Sequence, residues 1–343
     1  MTRVLNLVTK AEARFYDQQV RVLDRRGTDC TTVPVPGRHD PGPDAASRSV
    51  LDYIRFYPTV LRRSVGDYDL VHANSGLTAP AALAQPRRPV VCSLWGTELT
   101  NRYGPVTRAC AGRCDAVVVM SERMARTLDR ECFVVPHGVD RSLFSPQDRA
   151  AARDELGWEP SARHVLFPYS PRRVVKDYPR ARRLVDRAAE RVDADVRLQT
   201  LSGEPHERVS TAMNAADTLI LTSEQEGSPN SVKEALACDL PVVSTPVGDV
   251  PERLDGVSPS TVGDTDAELV DGLVSILQNP RRSNGREAVE PVSLERMAER
   301  LEAIYADVLD GRRDHDPANG DESVPVRRYD PDTGRVSRVE LPA

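Results

Sequence analysis

The sequence predicts an α/β protein of two domains, each built on a parallel sheet with helices between its strands. Two observations carry this reading. Short apolar runs alternate with stretches of helical periodicity, first from Val4 to Val135 and again from His164 to Val262. Between the two series lie Pro136-His137-Gly138-Val139-Asp140 and a polar stretch to Pro146, the composition of a connection rather than of a core element. The expected division is 1–143, 144–310 and a mostly disordered tail over 311–343, where Asp, Pro, Arg and Gly show no periodicity.

In the first series, strands are expected at Val4–Val8, Thr31–Val35, Asp69–Ala73, Pro89–Leu94, Ala116–Met120 and Cys132–Val135. Ala13–Arg26 reads as an amphipathic helix ending near Gly27, and Ser49–Ser64 as a helix interrupted near Pro58. Arg38–Ala46 reads as a Pro/Gly/Asp loop, and shorter helices are expected at Leu77–Ala84, Thr107–Ala111 and Glu122–Arg130. In the second series the strands are His164–Pro168, Val196–Leu201, Asp217–Thr222, Pro241–Ser244 and Ser260–Val262. Its helices are Gln147–Leu156, Tyr178–Arg191, Glu204–Ala215, Ser231–Ala237, Ala267–Gln278 and Leu294–Leu309. Strands separated by helices imply right-handed crossovers, with ligands bound beyond the carboxyl ends of the strands. A cleft between the two domains is the expected place.

The formal charge is −6, from 46 basic and 52 acidic side chains. A generic nucleic-acid binder would show a basic excess, so nucleic acid is not an expected partner. Arginine outnumbers lysine 43 to 3, the lysines being Lys10, Lys176 and Lys233. A GC-rich genome accounts for the bias, but a compact ammonium is not interchangeable with a guanidinium, so each remaining lysine is informative. The six cysteines lack a CxxC pair and are expected as reduced core thiols, with Cys110 and Cys114 on one helix face. No metal-ligand spacing is visible. No run has the length of a transmembrane span, and the N-terminus lacks a signal-peptide apolar region. The expected location is cytoplasmic, with any membrane contact peripheral and at the inner surface. Arg62-Arg63 and Arg87-Arg88 are either solvated surface or contacts for anionic lipid head groups.

The most informative segment runs from Ser223 to Ala237, between a strand and a helix. Gly227 allows close approach of the backbone to a ligand. Ser228, Asn230 and Ser231 bring hydroxyl and amide groups, and Pro229 suits a first helical turn. Free N–H groups at the helix start attract phosphate. Glu226 and Glu234 are eight apart, so a phosphate between them leaves each carboxylate to accept hydroxyls on either side.

The stretch Glu226–Glu252, EGSPNSVKEALACDLPVVSTPVGDVPE, resembles the donor-binding signature of the family 4 glycosyltransferases. That resemblance implies the GT-B fold: two Rossmann-like domains facing a cleft, with C-terminal helices here followed by a polar tail. It implies that Glu226 contacts the transferred sugar and Glu234 the donor ribose. Ser170–Tyr178 resembles the family's Arg…Lys element, which binds the donor diphosphate. Lys176 is its lysine; Arg173 matches the Arg-x-x-Lys register, with Arg172 the alternative. Charge growing on a leaving diphosphate is stabilised by such cations. Pro136–Asp140 resembles the segment that crosses between domains, with His137 as hinge and cleft wall.

The first half carries weaker signals. Lys10 lies in the loop where the family is commonly Gly-rich, and is either a candidate for donor phosphates or an anionic acceptor, or a surface residue. Leu94-Trp95-Gly96-Thr97-Glu98 resembles the family's His-Gly-Thr-Asp element, with Trp95 in place of the His. Trp95 is either a core residue or a sugar platform, Gly96 suits close approach, and His72 is a cleft-edge candidate. The resemblance implies a retaining, metal-independent hexosyltransferase with a UDP- or GDP-type sugar donor, no cofactor, and a glycan, lipid-linked glycan or small molecule as acceptor. The alternatives are a sugar-nucleotide epimerase or hydrolase on the same fold, or a catalytically silent donor-binding subunit.

Overall fold

The computed structural model describes residues 1–37, 48–86, 88–311 and 323–342. The expected loop Arg38–Ala46 and the residue Arg87 lie outside them. The chain forms two compact units. Unit 1 comprises Met1–Gly138 and Leu294–Ala343; unit 2 comprises Val139–Ser293.

The parallel sheet of unit 1 begins with β1 (Arg3–Val8), β2 (Asp29–Pro34), β3 (Leu70–Ala73), β4 (Val90–Leu94), β5 (Ala116–Val119) and β6 (Cys132–Val134). Their order across the sheet is β2-β1-β3-β4-β5-β6. The chain first steps outward from β1 to β2, then returns past β1 to β3. This reversal places a topological switch point between the ends of β1 and β3. Strands β3, β4 and β5 are buried throughout, as expected of a sheet covered on both faces.

Unit 2 repeats the plan with β7 (Arg163–Phe167), β8 (Val196–Thr200), β9 (Thr218–Leu221), β10 (Val242–Ser244) and β11 (Thr261–Val262). The order β8-β7-β9-β10-β11 sets its switch point between β7 and β9.

Four expectations are corrected. Residues 311–343 were expected as a disordered tail, but β12 (Ser323–Asp330) and β13 (Arg335–Pro342) form an antiparallel hairpin, and β12 pairs antiparallel with β6. The turn carries its own signal: Asp330 caps it by accepting the N–H of Asp332 at 2.9 Å, and Gly334 takes φ +64. Val326, Tyr329 and Leu341 are buried in the unit 1 core, and Arg327 pairs with Glu122. The part of the expected tail at 312–322 lies outside the described residues. Second, the helix Leu294–Asp310 joins unit 1 rather than the second half of the chain, burying Leu301, Ile304 and Tyr305 in the unit 1 core.

Third, the helix Val50–Ser64 continues through Pro58. Proline costs the bond to the carbonyl of Ile54, but both residues are exposed, so water satisfies that carbonyl, while Phe56 and Val60 anchor the buried face. Fourth, the helix holding Cys110 ends at Ala111, so Cys114 falls in the following turn rather than on the same helix face. All six cysteines are free thiols.

Truncation after Gly311 should uncover the β6 edge and remove three buried apolar side chains, each worth about 1.5–3 kcal/mol. The expected result is a melting temperature lower by several degrees, or loss of soluble protein. Unchanged thermal unfolding would show that the hairpin adds nothing to the fold.

Candidate functional site

Beyond β7 the chain makes a short loop and a single 3-10 turn at Val174–Lys176. Asp177 then adopts left-handed φ of +46, and its carboxylate accepts the N–H of Arg180 at 3.1 Å. It thereby caps the helix Tyr178–Ala189, whose first turn holds Pro179. This geometry turns Lys176 inward: the residue is only 4% exposed.

The loop beyond β9 is stitched to this turn. Thr222 Oγ1 donates to the carbonyls of Lys176 and Asp177, at 2.9 and 3.0 Å. The N–H of Glu224 donates to the carbonyl of Val175 at 3.2 Å. Lys176 Nζ donates to Glu226 Oε1, and Ser223 Oγ donates to the same oxygen at 2.7 Å. The ammonium also lies 3.9 Å from the centroid of the Tyr169 ring, and the Arg173 guanidinium 5.4 Å from it. Burial lowers the basicity of Lys176, with Glu226 opposing the shift. Burial, then the charge of Glu226, holds the Tyr169 phenol well above its ordinary value, so it stays neutral and shares a hydrogen bond with Ser231.

The switch point of unit 2 therefore gathers Lys176, Glu226, Arg173 and Ser231. Arg172 is exposed, and its backbone N–H donates to Ser170 Oγ at 3.3 Å; Arg173 is the arginine brought to Tyr169. Gly227 and Ser228 are half-buried and Pro229 buried, leading into the helix Asn230–Ala237, which has no side-chain cap. Asn230 Oδ1 is buried without a hydrogen-bond partner among the described residues. Glu234 is half-buried, 3.9 Å from His206 Nε2.

A second buried ammonium stands behind this loop, with no role assigned to it from sequence. Lys233 is fully buried and donates to Ser228 Oγ at 3.1 Å, which in turn donates to Asp249 Oδ2 at 2.9 Å. Arg253 Nε lies 3.4 Å from the same carboxylate oxygen. Burial brings Lys233 down to about 8 and pushes Asp249 up. Gly248, at φ +57, passes so close that a Cβ there would meet the Gly227 carbonyl at 2.6 Å. The scarcity of lysine was the available signal; its partner on the next loop was not legible.

The unit 1 candidates separate. His72 is corrected: it is fully buried within β3, with Nδ1 2.7 Å from the Tyr305 hydroxyl and Nε2 2.7 Å from Ser93 Oγ. Burial takes its basicity from 6.5 down to about 3, so it is a neutral core residue rather than a cleft group. Trp95, Phe15 and His137 form an aromatic cluster, with Phe15 centroids 4.7 Å from Trp95 and 4.4 Å from His137. Gly96 has φ +134, while Glu98 accepts the N–H groups of Trp95 and Gly76 at 2.9 and 3.4 Å. Lys10 is half-buried on the loop beyond β1.

Family models agree with these two halves. Residues 2–143 match the model described as Glycosyltransferase Family 4, and residues 174–279 match Glycosyl transferases group 1. Together they take in well over half of the chain. It belongs to the family 4 glycosyltransferases. This glycosyltransferase is 29% identical over 278 residues to the GDP-mannose-dependent alpha-(1-6)-phosphatidylinositol monomannoside mannosyltransferase of Mycolicibacterium smegmatis, covering 66% of this chain and 73% of that one. It is 29% identical over 268 residues to a D-inositol 3-phosphate glycosyltransferase of Mycobacterium tuberculosis, covering 63% of this chain and 56% of the relative. It thus spans little more than half the length of that relative.

The fold is shared with sucrose-phosphate synthase from Thermosynechococcus elongatus, at TM-score 0.71 and 17% identity over 91% of this chain and 100% of that one. Anabaena HepE in complex with UDP-glucose superimposes at TM-score 0.67 and 16% identity, over 90% and 100%. The architecture is GT-B. Among the described residues, no helix is long and apolar enough to cross a membrane.

Two outcomes follow from these buried groups. A histidine whose folded value is depressed leaves the unfolded chain binding more protons, so its contribution is intact above pH 6.5 and declines as pH falls toward 3. His72→Gln should remove about 1.4 kcal/mol per pH unit from the slope of stability between pH 6 and 4. Urea unfolding of both proteins across that range measures it, and identical slopes would contradict a buried neutral His72. Lys233→Met removes the buried donor to Ser228 and leaves Arg253 as the remaining counter-charge of Asp249, so it should cost about 1–3 kcal/mol in the same assay, whereas an exposed lysine would cost almost nothing.

Proposed function

We propose that this glycosyltransferase moves a hexosyl group from a UDP- or GDP-type sugar donor to a glycan, lipid or small-molecule acceptor, with retention of anomeric configuration. The observation that carries the reading is the Lys176–Glu226 ion pair, with Arg173 beside it, at the unit 2 switch point. The donor specificity draws support from the names of its relatives, one GDP-mannose-dependent and one structure bound to UDP-glucose.

Breaking the bond between sugar and diphosphate puts negative charge on phosphate oxygens. Lys176, held partly out of water, interacts strongly with that growing charge. Arg173 is exposed and has no carboxylate partner among the described residues, so its fork is available for two phosphate oxygens. A diphosphate arriving at Lys176 takes over part of the role of Glu226, whose carboxylate then accepts sugar hydroxyls. Glu234 accepts ribose hydroxyls from its place in the helix. The uncapped N–H groups at the start of Asn230–Ala237 face the phosphates. For retention, the donor phosphate itself takes the acceptor proton on the face where the leaving group departs, which demands no strong protein base.

Lys176→Ala and Glu226→Ala should each lower kcat by about a hundredfold or more. Each also breaks a largely buried ion pair, so a stability loss of about 3–5 kcal/mol is expected alongside, and rates are compared on protein shown by circular dichroism to be folded. The assay follows labelled nucleotide sugar with and without an acceptor extract. Wild-type rates in both variants would overturn the assignment. Free sugar released without acceptor would mark a hydrolase, and nucleotide binding without diphosphate release a silent subunit.

A further inference from the structure

The switch point of unit 1 holds a cavity of about 620 Å³, within the size range of small-molecule sites. Its floor comes from the loops beyond β1 and β3, through Thr9, Lys10, Gly76 and Leu77. This is where a doubly wound sheet leaves a crevice, so the position is dictated by strand order rather than by a surface accident.

The lining has two kinds of chemistry. One wall is apolar, from Val50, Ile54 and Tyr57 on the helix Val50–Ser64, and Val106 on the helix Gly104–Ala111. These four are exposed at 67%, 60%, 38% and 53%. Single exposed apolar residues are ordinary, but four around one opening form a patch that a covering ligand would desolvate. The other component is cationic: Lys10, Arg48 and Arg102 also line the cavity. Arg48 Nε donates to the Pro36 carbonyl at 3.2 Å, and Arg102 donates to the Tyr103 hydroxyl at 2.6 Å; neither forms an ion pair with a carboxylate among the described residues. Arg48 lies near enough to Asp52 to favour that carboxylate's charged form, but neither guanidinium is tied up in a direct ion pair among the described residues, and two such groups at the edge of an apolar wall suit an anion such as a phosphate ester. Thr9, Tyr53, Tyr57, Tyr103 and Thr107 add hydroxyls to the lining, so it is the apolar wall and the cations, not a want of hydroxyls, that set this cavity apart from a site for a bare sugar.

We infer that this cavity is the acceptor site and takes an amphiphile whose apolar part covers the Val50–Tyr57 and Val106 surface while its anionic head group meets Arg48, Arg102 and Lys10. The inference rests on the transferase reading and names the acceptor class within it. A bulky apolar group gains from the wall by burial, and the head group gains from charge, so the two contributions are separable.

The test is calorimetric binding to the full chain, with decyl phosphate below its micelle concentration as the probe. Inorganic phosphate supplies the anion without the chain, and decyl maltoside the chain without the anion. Decyl phosphate should bind at least about tenfold more tightly than either. Ile54→Asp and Arg102→Gln, both at exposed positions, should each weaken it by about tenfold while leaving UDP or GDP binding unchanged. Equal affinity for decyl phosphate and decyl maltoside, or binding undiminished in both variants, would overturn the assignment. Nucleotide binding that persists while decyl phosphate fails refutes only the acceptor class. Loss of nucleotide binding in the wild-type chain refutes the transferase reading itself.

Discussion

An ammonium group taken out of water needs a counter-charge, and the second unit is organised around that requirement at Lys176. Its partner, Glu226, comes from a different strand end, so neutralising the charge also fastens one loop to the other. Thr222 and Glu224 add hydrogen bonds to the backbone of the same turn. Two loops that would otherwise move independently are thereby ordered before any ligand arrives. Electrostatic stabilisation of a leaving group depends on such preorganisation, because dipoles and charges that must first rearrange lose much of their effect.

The same constraint recurs one layer deeper. Lys233 cannot be buried alone, and Asp249 on the loop beyond β10 answers it through Ser228. That loop is drawn onto the Glu226–Gly227 backbone at a distance only glycine tolerates at position 248. Two of the three lysines in the chain are thus buried against acidic side chains on neighbouring loops. Their compact head groups fit where a planar guanidinium would need a wider space.

Strand order does comparable work in both units. Each sheet reverses direction beside its first strand, and each reversal opens a crevice at the strand ends. The content of the two crevices differs: an ion-paired lysine and carboxylate in one, an apolar wall with arginines in the other. At the far side of the first sheet, β12 and β13 extend the ladder beyond β6, whose edge would otherwise expose unpaired backbone groups.

The alternation of strands and helices, a connection within residues 136–146, and the Glu226-to-Glu234 spacing were legible from sequence because each depends on neighbours along the chain, although the units divide at Gly138/Val139 rather than at 143. Period and motif are local properties. The remaining features depend on partners distant in sequence. The polar residues 323–342 become a hairpin against β6 because Cys132–Val134 offers them an edge, nearly two hundred positions earlier. His72 is held neutral by complete burial, with Tyr305, 233 positions away, bonded to its Nδ1. Pro58 leaves its helix intact because the opposite face is anchored in the core. Sequence alone determined the two α/β halves and the residue types carried by the Ser223–Ala237 loop and helix. Tertiary structure alone decided which charges are buried, which partner neutralises each, and which strand edge is covered, because desolvation and long-range pairing exist only once distant segments meet.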